Sequence, residues 1–431
     1  MPVTVVLGAQ WGDEAKGKVA DLLAGDAAVV ARFNGGDNAG HTVVNPYGTF
    51  KLRLLPNGFA SPETRCVIGP GVAINLQTLT EEIAMLEERG LPIRERLWIS
   101  PRCHVVMPYH PLLEAIYENA KGDARTGTTR RGMGPVYADK VSYNGIRLAD
   151  LMDRAGLADK LRVQLKVKNP LLEAFGVPAL DLATILEEKL AQFAGIRALV
   201  REPFGMLQEV LSAGKRVVLE GAQAALLDTD WGTYPYSTAS TTLAGGITAG
   251  LGIAPRWIER VIGVAKAYQT RVGSGPFPTE LMGGAGEVML QRGQEYGTVT
   301  GRPRRCGWLD ADLLRFTAQL NGFTELALTK LDVLDSLDQL QIAVGYRHPE
   351  SGTDLVHYWQ GDAHWLERCQ PMYETMPGWL QSTARARSFA DLPHNAQAYI
   401  RRVESLVGVP IRMVSVGPDR SEVIPVMPAE G

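Results

Sequence analysis

A glycine-rich stretch near the start of the chain has the spacing of a loop that holds phosphate groups. It reads Gly12-Asp13-Glu14-Ala15-Lys16-Gly17-Lys18 and directly follows an apolar run over residues 3–7. In such loops backbone N–H groups and a lysine hold the phosphates, while a Ser or Thr after the last lysine binds Mg²⁺. Here that position is Val19, so Asp13 is the candidate metal ligand. The alternative is a strand-to-helix turn whose glycines only relieve backbone strain.

A second glycine-rich loop, Asn38-Ala39-Gly40-His41-Thr42, follows a β-type run over residues 29–33. Because each loop comes directly after a short apolar run, we expect the two loops to face one another. His41 is a candidate proton donor, although a single loop histidine more often has a structural partner.

A third signal lies far downstream, where an apolar run ends in Thr329-Lys330-Leu331-Asp332. This has the form of the element that selects guanine in GTP-binding proteins. A carboxylate at Asp332 can accept from both guanine N1–H and the exocyclic amine, and adenine offers no matching pair of donors. Without the first loop, a surface Lys-Asp pair after a core strand would explain the motif about as well. Together the two signals predict GTP as the nucleotide.

A basic segment containing Arg302, Arg304 and Arg305 follows a hydroxyl-rich stretch over residues 297–301. Guanidinium groups make forked hydrogen bonds to carboxylates, so Arg302 and Arg304 suit a dicarboxylic co-substrate such as aspartate. A solvated basic loop is the alternative.

The elements that must position these residues alternate between short apolar runs and helical patterns. The apolar runs cover residues 3–7, 29–33, 217–219, 261–265, 326–328, 342–344 and 411–416. Such runs suit a mostly parallel sheet that is covered on both faces. The sequence therefore predicts an α/β fold.

Helical patterns occupy much of the remaining chain. Amphipathic helices are predicted over residues 79–88 and 111–120. From about 148 to 213 the pattern is nearly all helical, with breaks at 169–170 and 177–178, which predicts a helical insertion between strands. No linker or repeat interrupts the sequence, so we expect a single α/β domain over residues 1–431.

Composition argues against several classes of function. The formal net charge is −3 with acids and bases intermixed, which leaves no basic stripe for nucleic acid and no polybasic patch for a membrane. No apolar stretch approaches membrane-spanning length, and the first residues lack the pattern of a signal peptide. The four cysteines are widely spaced, so we expect reduced buried thiols and a cytoplasmic setting rather than disulfides or a zinc site.

These stretches belong to a larger set of motifs that resembles the adenylosuccinate synthetase family. The set spans nearly the whole chain in family order and also includes Gly8-Ala-Gln-Trp11, Gly127-Thr-Thr129, Glu220-Gly-Ala-Gln223, Gly232-Thr-Tyr-Pro-Tyr236, Thr270-Arg-Val-Gly-Ser-Gly-Pro-Phe-Pro278, Glu374-Thr-Met-Pro-Gly-Trp379 and Gly417-Pro-Asp-Arg420. The resemblance implies a P-loop NTPase-like fold with a mostly parallel central sheet flanked by helices. It also implies a homodimeric enzyme of purine nucleotide synthesis that ligates L-aspartate to IMP with GTP and Mg²⁺, through a 6-phosphoryl-IMP intermediate.

The resemblance further implies a role for each site residue. Asp13 would remove the N1 proton of IMP and bind Mg²⁺ together with the Gly40 carbonyl, and His41 would stabilise charge on the transferring phosphoryl group. The implied GTP site comprises Gly12, Asp13, Glu14, Ala15, Lys16, Gly17, Lys18, Gly40, His41, Thr42, Arg304, Lys330, Leu331, Asp332, Ser415, Val416 and Gly417. The implied IMP site comprises Asp13, Glu14, Ala15, Lys16, Asn38, Ala39, Gly40, His41, Thr129, Gln223, Thr238 and Arg302. The implied aspartate site comprises Thr298, Val299, Thr300, Gly301, Arg302 and Arg304.

Five positions depart from the residues usual in the family. Ala15 replaces a glycine, and its Cβ disfavours positive φ. Tyr143 replaces an arginine that reaches the nucleotide phosphate of the partner subunit, and Arg130, which replaces a glycine, is a candidate for a compensating charge. Val299 and Val416 each replace a threonine and lose one hydroxyl, a change worth only about 0.5–1.5 kcal/mol.

Two other interpretations compete with this one. A specialised relative could run the same ligation on another purine nucleotide or with another amino acid, and differences at Ser237 and Ala239, beside the implied IMP site, leave room for that. Retention of Asp13 argues against deoxyguanylate, because the phage relatives that use it lack this base. A non-catalytic GTP-binding switch would require neither His41 nor the Arg302 and Arg304 segment.

Overall fold

The computed structural model describes residues 2–297, 301–347, 350, 352 and 363–427. The strands of this part of the chain are β1 (Val3–Gly8), β2 (Val29–Arg32), β3 (His41–Asn45), β4 (Gly48–Leu52), β5 (Arg65–Ile68), β6 (Ala73–Ile74), β7 (Leu97–Ile99), β8 (His104–Val105), β9 (Val217–Glu220), β10 (Ile258–Lys266), β11 (Gln269–Arg271), β12 (Arg305–Gly307), β13 (Leu309–Asp310), β14 (Glu325–Thr329), β15 (Gln339–Arg347), β16 (Gln370–Pro377), β17 (Ile411–Ser415) and β18 (Val423–Pro425). The α-helices are α1 (Lys16–Ala24), α2 (Leu76–Glu88), α3 (Tyr109–Ala120), α4 (Met133–Val141), α5 (Arg154–Ala174), α6 (Leu182–Ala194), α7 (Phe204–Ser212), α8 (Ile247–Leu251), α9 (Ala285–Gly293), α10 (Ala311–Asn321), α11 (Ala363–Arg368) and α12 (His394–Val407).

A nine-stranded central sheet organises the molecule, in the order β18-β17-β14-β10-β1-β9-β2-β5-β7. All neighbouring pairs are parallel except β17 and β18, which are antiparallel at one edge. The middle strands are rich in Val, Ile and Leu, and β2 and β9 are buried along their whole length. Strands with this composition need both faces covered, because most of the side chains on each face are apolar. The predicted α/β fold with a mostly parallel sheet is confirmed.

The parallel arrangement brings the predicted site segments to one edge of the sheet. The first glycine-rich loop follows β1, the second follows β2, and the segment 221–223 follows β9. On the other side of β1, Lys330 follows β14 and residues 416–417 follow β17. Since parallel strands end at the same edge, five segments that are far apart in sequence meet there.

Three details of the sequence prediction are wrong. The run 342–344 lies in β15 and belongs to a separate three-stranded sheet with β13 and β16, because it pairs with β16 in antiparallel register. Strands β5 and β7, at one edge of the nine-stranded sheet, were missed, since four and three residues are too few for a clear periodicity. Helix α5 runs through Pro170 without a break. Proline removes one helical hydrogen bond, and the carbonyl left without it belongs to Lys166, which is exposed to water.

The region from 148 to 213 contains α5, α6 and α7 and lies between α4 and β9. The apolar side chains of α5 and α6 pack with α2, α3, β5 and β7 in one cluster of buried residues. Those of α7 belong to a second cluster, which surrounds β1, β10 and β14. The two clusters meet at β5, where Val67 faces one and Cys66 and Ile68 face the other. The helical pattern predicted for this region is thus present in the structure.

The four cysteines are buried and unpaired. Burial raises the pKa of the Cys66 and Cys306 thiols to about 12. They therefore act as small core side chains rather than reactive thiolates. Within the described ranges, the helices are too short or too polar for any of them to cross a lipid bilayer.

Candidate active site

A cleft of about 920 Å³ opens at the carboxyl edge of the sheet. This volume lies at the upper end of the range for ligand pockets, so the cleft can hold more than one small ligand. Predicted GTP-site residues along its wall are Gly12, Asp13, Ala15, Lys16, Gly17, Lys18, Gly40, His41, Thr42, Arg304, Lys330, Asp332, Ser415 and Gly417. Other predicted substrate residues along it are Asn38, Ala39, Thr129, Gln223, Thr238 and Arg302. Glu14, Leu331 and Val416 are buried behind the wall, and Gly301 is exposed outside it.

The first glycine-rich loop has three residues in the left-handed region of backbone conformation. Gly12, Asp13 and Ala15 have φ of 96°, 62° and 66°. This path brings the chain into α1 at Lys16, so the free N–H groups of the first helical turn face the cleft. The Glu14 carboxylate supports the turn, because it accepts hydrogen bonds from the backbone N–H of Gly12 at 2.7 Å and the Lys16 Nζ at 2.7 Å. The loop is therefore built to bind an anion.

Ala15 is strained in this loop, since a left-handed conformation disfavours any residue with a Cβ by about 1–2 kcal/mol. We expect Ala15→Gly to raise the free energy of unfolding by about 0.5–1 kcal/mol. This gain is smaller than the relieved strain, because glycine also has more conformational freedom in the unfolded chain. Urea unfolding measures this difference. The matched control is Ala20→Gly in the middle of α1, which should lower the free energy of unfolding by about 1 kcal/mol. Equal losses in both variants would contradict a strained Ala15.

Asp13 lies in the cleft with its carboxylate against Arg304. The Arg304 Nε is 3.0 Å from Asp13 Oδ2. Arg304 is largely buried and also donates from Nη1 to Glu295. The predicted catalytic base and one predicted aspartate-binding arginine are thus in direct contact.

The second loop packs directly against the first, as predicted. A Cβ at Gly17 would lie 3.3 Å from His41 Cδ2 and 3.0 Å from the Asn57 amide nitrogen, so a larger residue would require these side chains to shift by a few tenths of an ångström. The His41 Nδ1 is 3.6 Å from Glu220 Oε1. Burial, together with the positive charges of Arg32 and Lys16, lowers the pKa of His41 to about 3. In the absence of ligands the imidazole is therefore neutral.

The guanine-type segment is tied to the first loop and to the end of α9. The Thr329 hydroxyl donates to the Glu14 carbonyl at 2.9 Å. Lys330 has a φ of 59°, and its Nζ donates to the Gly293 carbonyl at 2.7 Å and to Glu295 Oε1 at 2.8 Å. Burial raises the pKa of Asp332, whose side chain lines the cleft. Asp332 thus stands on the cleft wall, where the guanine ring of a nucleotide could contact it.

Lys18 does not extend into the cleft as an isolated charge. Its Nζ donates to the Ser415 hydroxyl at 2.7 Å and to the Gly417 carbonyl. Burial lowers the pKa of Lys18 to about 8, which Glu422, Asp332 and Asp419 oppose. Lys18 therefore joins α1 to the loop after β17, and its predicted contact with GTP stays a prediction.

The opposite end of the cleft presents buried polar atoms that lack partners. Among the residues that the structure describes, none forms a hydrogen bond with Asn38 Oδ1, His41 Nε2, Thr128 Oγ1 or either amide atom of Gln223. Gln223 also holds a φ of 58°, which is uncommon for a residue with a side chain. Unsatisfied buried groups are unfavourable by about 1–3 kcal/mol each, and a ligand with matching donors and acceptors would satisfy them.

The remaining predicted residues are distributed unevenly. Arg302 lies at the cleft and donates from Nη2 to the Gly127 carbonyl at 3.4 Å. Thr298, Val299 and Thr300 lie outside the described residues. Tyr143 is 97% exposed at the end of α4, and Arg130 is exposed and absent from the cleft wall. Compensation of Tyr143 by Arg130 stays a prediction.

Three buried charged residues, two on the cleft wall and Glu295 behind it, were not assigned a role from sequence. Arg32 places a positive charge near His41. Glu220 accepts hydrogen bonds from the Asn57 backbone N–H and side-chain amide at 3.0 Å each. Glu295 accepts hydrogen bonds from the side chains of Lys330 and Arg304. Glu220 stands at the end of an apolar run within a recognised motif, which was a usable signal. Glu295 stands in a polar stretch that reads as surface.

The donor set also fits a magnesium ion. Mg²⁺ is usually bound through one or two carboxylates together with substrate phosphates. The cleft places the Asp13 carboxylate and the Gly40 backbone beside a loop built for phosphate. A single carboxylate completed by nucleotide oxygens is the arrangement that these residues allow.

A parallel sheet whose central strand leads into a phosphate-binding loop, with a guanine-type segment two strands away, defines a nucleotide-binding α/β protein of the P-loop type. A model of the family described as adenylosuccinate synthetase matches residues 5–424. Adenylosuccinate synthetases from Halothermothrix orenii and Halorhodospira halophila are 46% and 48% identical, each over 97% of both chains. The structure of fully ligated adenylosuccinate synthetase from Plasmodium falciparum has a TM-score of 0.93 and 36% identity, covering 99% of this chain and all of that one.

The chain belongs to the adenylosuccinate synthetase family. The predicted family and the predicted class of enzyme, a ligase of purine nucleotide synthesis, are confirmed. A non-catalytic GTP-binding switch is no longer needed as an interpretation.

Proposed function

We propose that this cleft joins aspartate to IMP with GTP as the energy source, with Asp13 as the base. As a member of its family, the enzyme is a GTP-dependent ligase that forms adenylosuccinate. The observation that supports the residue roles is the order of groups along the cleft. Asp332, the guanine-type residue, follows β14 on one side of β1. Gln223 and Asn38, which carry unpartnered polar atoms, follow β9 and β2 on the other side, and Asp13 follows β1 itself.

Asp13 would take the proton from N1 of IMP, so that the 6-oxygen gains the electron density to attack the γ-phosphorus of GTP. The bond from that phosphorus to the β–γ bridging oxygen breaks, and GDP leaves. Because Arg304 lies against Asp13 in the unliganded arrangement, IMP must displace or share that contact. The 6-phosphoryl group then leaves as phosphate when the amine of aspartate attacks C6.

His41 would assist the phosphoryl transfer as a donor. Its Nδ1 is beside the Glu220 carboxylate and its Nε2 is buried without a partner among the described residues. The phosphates of GTP bring negative charge that opposes the effect of Arg32 and Lys16 on its pKa. Binding of GTP would thus favour an imidazolium that donates from both nitrogens, one to Glu220 and one to the phosphoryl oxygen.

Aspartate would be held by the guanidinium groups of Arg302 and Arg304 with the segment 298–301. Mg²⁺ would be held by Asp13 and Gly40, where it supplies positive charge that stabilises the phosphoryl group. Both assignments are supported by charge and by position at the cleft wall.

A cytoplasmic homodimer completes the proposal. The unpaired cysteines support a reducing compartment. Val141 and Tyr143 expose 72% and 97% of their surface at the end of α4, and apolar side chains in such positions suit a contact between subunits. Sedimentation at several concentrations tests this, and a fully active monomer would exclude a site shared between subunits.

A product assay tests the function. Enzyme with Mg²⁺, GTP and aspartate is offered IMP, deoxy-IMP, GMP and dGMP in parallel, with ATP as the alternative energy source. We expect turnover with IMP and GTP only. Preference for another nucleotide would favour the specialised relative, with Ser237 and Ala239 at the cleft wall as the first candidates for the change. No turnover with any combination would overturn the proposal.

A further inference from the structure

Glu295 is a fully buried carboxylate at the centre of a cluster of positive charges. Its two oxygens accept hydrogen bonds from Lys266 Nζ at 2.8 and 2.9 Å, and one of them accepts from Lys330 Nζ at 2.8 Å. It also accepts from Arg304 Nη1 and from the Tyr268 hydroxyl. Burial alone would raise the pKa of Glu295, but the charges of Lys266, Lys330 and Arg304 hold it well below its usual range. One carboxylate therefore balances three cations that come from separate parts of the chain.

The first connection from Glu295 leads to the guanine-type segment. Lys330 stands two residues before Asp332 and bonds to Glu295 and to the Gly293 carbonyl. Arg292 donates to the Asp332 carbonyl at 3.2 Å. The end of α9 and the residues after it thus fix the segment from 330 to 332 from both sides.

The second connection leads to the catalytic base. The Arg304 backbone N–H donates to the Glu295 carbonyl at 2.8 Å, and the Arg304 side chain bridges Glu295 and Asp13. If Glu295 lost its charge, Arg304 would be balanced by Asp13 alone. The Arg304 side chain would then follow Asp13 alone, and the Asp13 carboxylate would lose the fixed position that the bridge to Glu295 gives it.

The geometry points to Glu295 as a positioning residue that links recognition of guanine at Lys330 and Asp332 to the position of the base Asp13. This inference rests on the proposed function, since it assumes that Asp13 is the base and that GTP binds beside Asp332. The competing interpretation is a buried ion cluster that only stabilises the fold. The two differ in the kinetic constants that they affect.

Glu295→Gln tests the link because the amide keeps the shape and removes the charge. We expect kcat/KM for GTP to fall about 10- to 100-fold, with contributions from a raised KM for GTP and a lowered kcat. The KM for IMP should rise less than the KM for GTP, because this cluster meets the implied IMP site only through the contact of Arg304 with Asp13, whereas Lys330 bonds to Glu295 directly. A purely structural role would lower the amount of folded enzyme and leave the constants of the folded fraction unchanged.

Loss of one member of a buried ion pair often prevents folding, so a second variant removes two opposite charges together. Glu295→Gln with Lys266→Met keeps the net charge and leaves Lys330 and Arg304 without their anchor. The same kinetic pattern is expected. Circular dichroism and thermal unfolding establish that each variant is folded.

The matched control is Glu280→Gln. Glu280 pairs with Arg305, the residue next to Arg304, and neither lies on the wall of the cleft. The kcat and KM values of Glu280→Gln should match those of the wild type within about two-fold. Folded Glu295 variants with wild-type constants, or with KM for GTP and IMP raised equally, would overturn the link. Absence of turnover in the wild type would instead overturn the proposed function.

Discussion

Asp13→Asn is expected to lower kcat for adenylosuccinate formation by about 10³-fold, the scale on which loss of a general base acts. Asparagine has the same shape and adopts the left-handed region more readily than most residues, so the backbone at φ 62° should persist. The loss would then reflect proton transfer and metal binding rather than a misfolded loop. Steady-state kinetics gives kcat, and calorimetric titration with GDP reports whether the nucleotide site is intact.

Asp26→Asn is the control for Asp13, because Asp26 is an exposed carboxylate on the surface that pairs with Arg216. We expect no change in kcat for it. A value of kcat for Asp13→Asn above about one tenth of wild type would exclude Asp13 as the base. If kcat of Asp13→Asn falls as expected but the variant also binds GDP weakly, Asp13 is assigned to nucleotide binding instead.

Asp332→Asn is expected to change the base that the enzyme accepts. The carboxylate can receive the N1–H and the exocyclic amine of guanine, whereas an amide presents one acceptor and one donor. The donor would face the guanine amine and repel it, but it would match the 2-oxygen of xanthine. A site built to hydrogen-bond its substrate discriminates strongly, so kcat/KM for GTP should fall by at least about 10²-fold while that for XTP rises.

The measurement for Asp332 is a comparison of kcat/KM for GTP and XTP in wild type and variant. Asp338→Asn is the control, since Asp338 is exposed beyond the segment. Equal losses with both nucleotides would indicate damage to the segment from 329 to 332 and would remove Asp332 from recognition of the base.

Features fixed by local spacing could be predicted from the sequence. The turn at residues 12–18 and the motif ending at Asp332 each depend on neighbours within a few positions, and both lie at the cleft. Repeated apolar runs sufficed for the central sheet, except where a strand was as short as β7. The run 342–344 was misplaced because apolar composition does not specify which sheet a strand joins.

Roles that arise from tertiary contacts could not be predicted. Glu295 meets Lys266 and Lys330 across 29 and 35 positions, and nothing in its neighbours marks it as buried. The bonds of Lys18 to Ser415 and Gly417 likewise could not be predicted, because they depend on the packing of α1 beside β17. Residue spacing indicates which side chains could take part in binding or catalysis. Only the folded structure determines the hydrogen-bond and ion-pair partners of those side chains.

The position of β1 between two pairs of strands has a consequence for how such an enzyme can evolve. Asp332 follows β14, two strands to one side of β1, and Asn38 follows β2, two strands to the other side. Four steps between neighbouring strands separate those strand ends by about 19 Å. Substitutions at that distance usually contribute independently to free energy. A lineage could therefore exchange the nucleotide that is modified while keeping the nucleotide that supplies the energy, one mutation at a time.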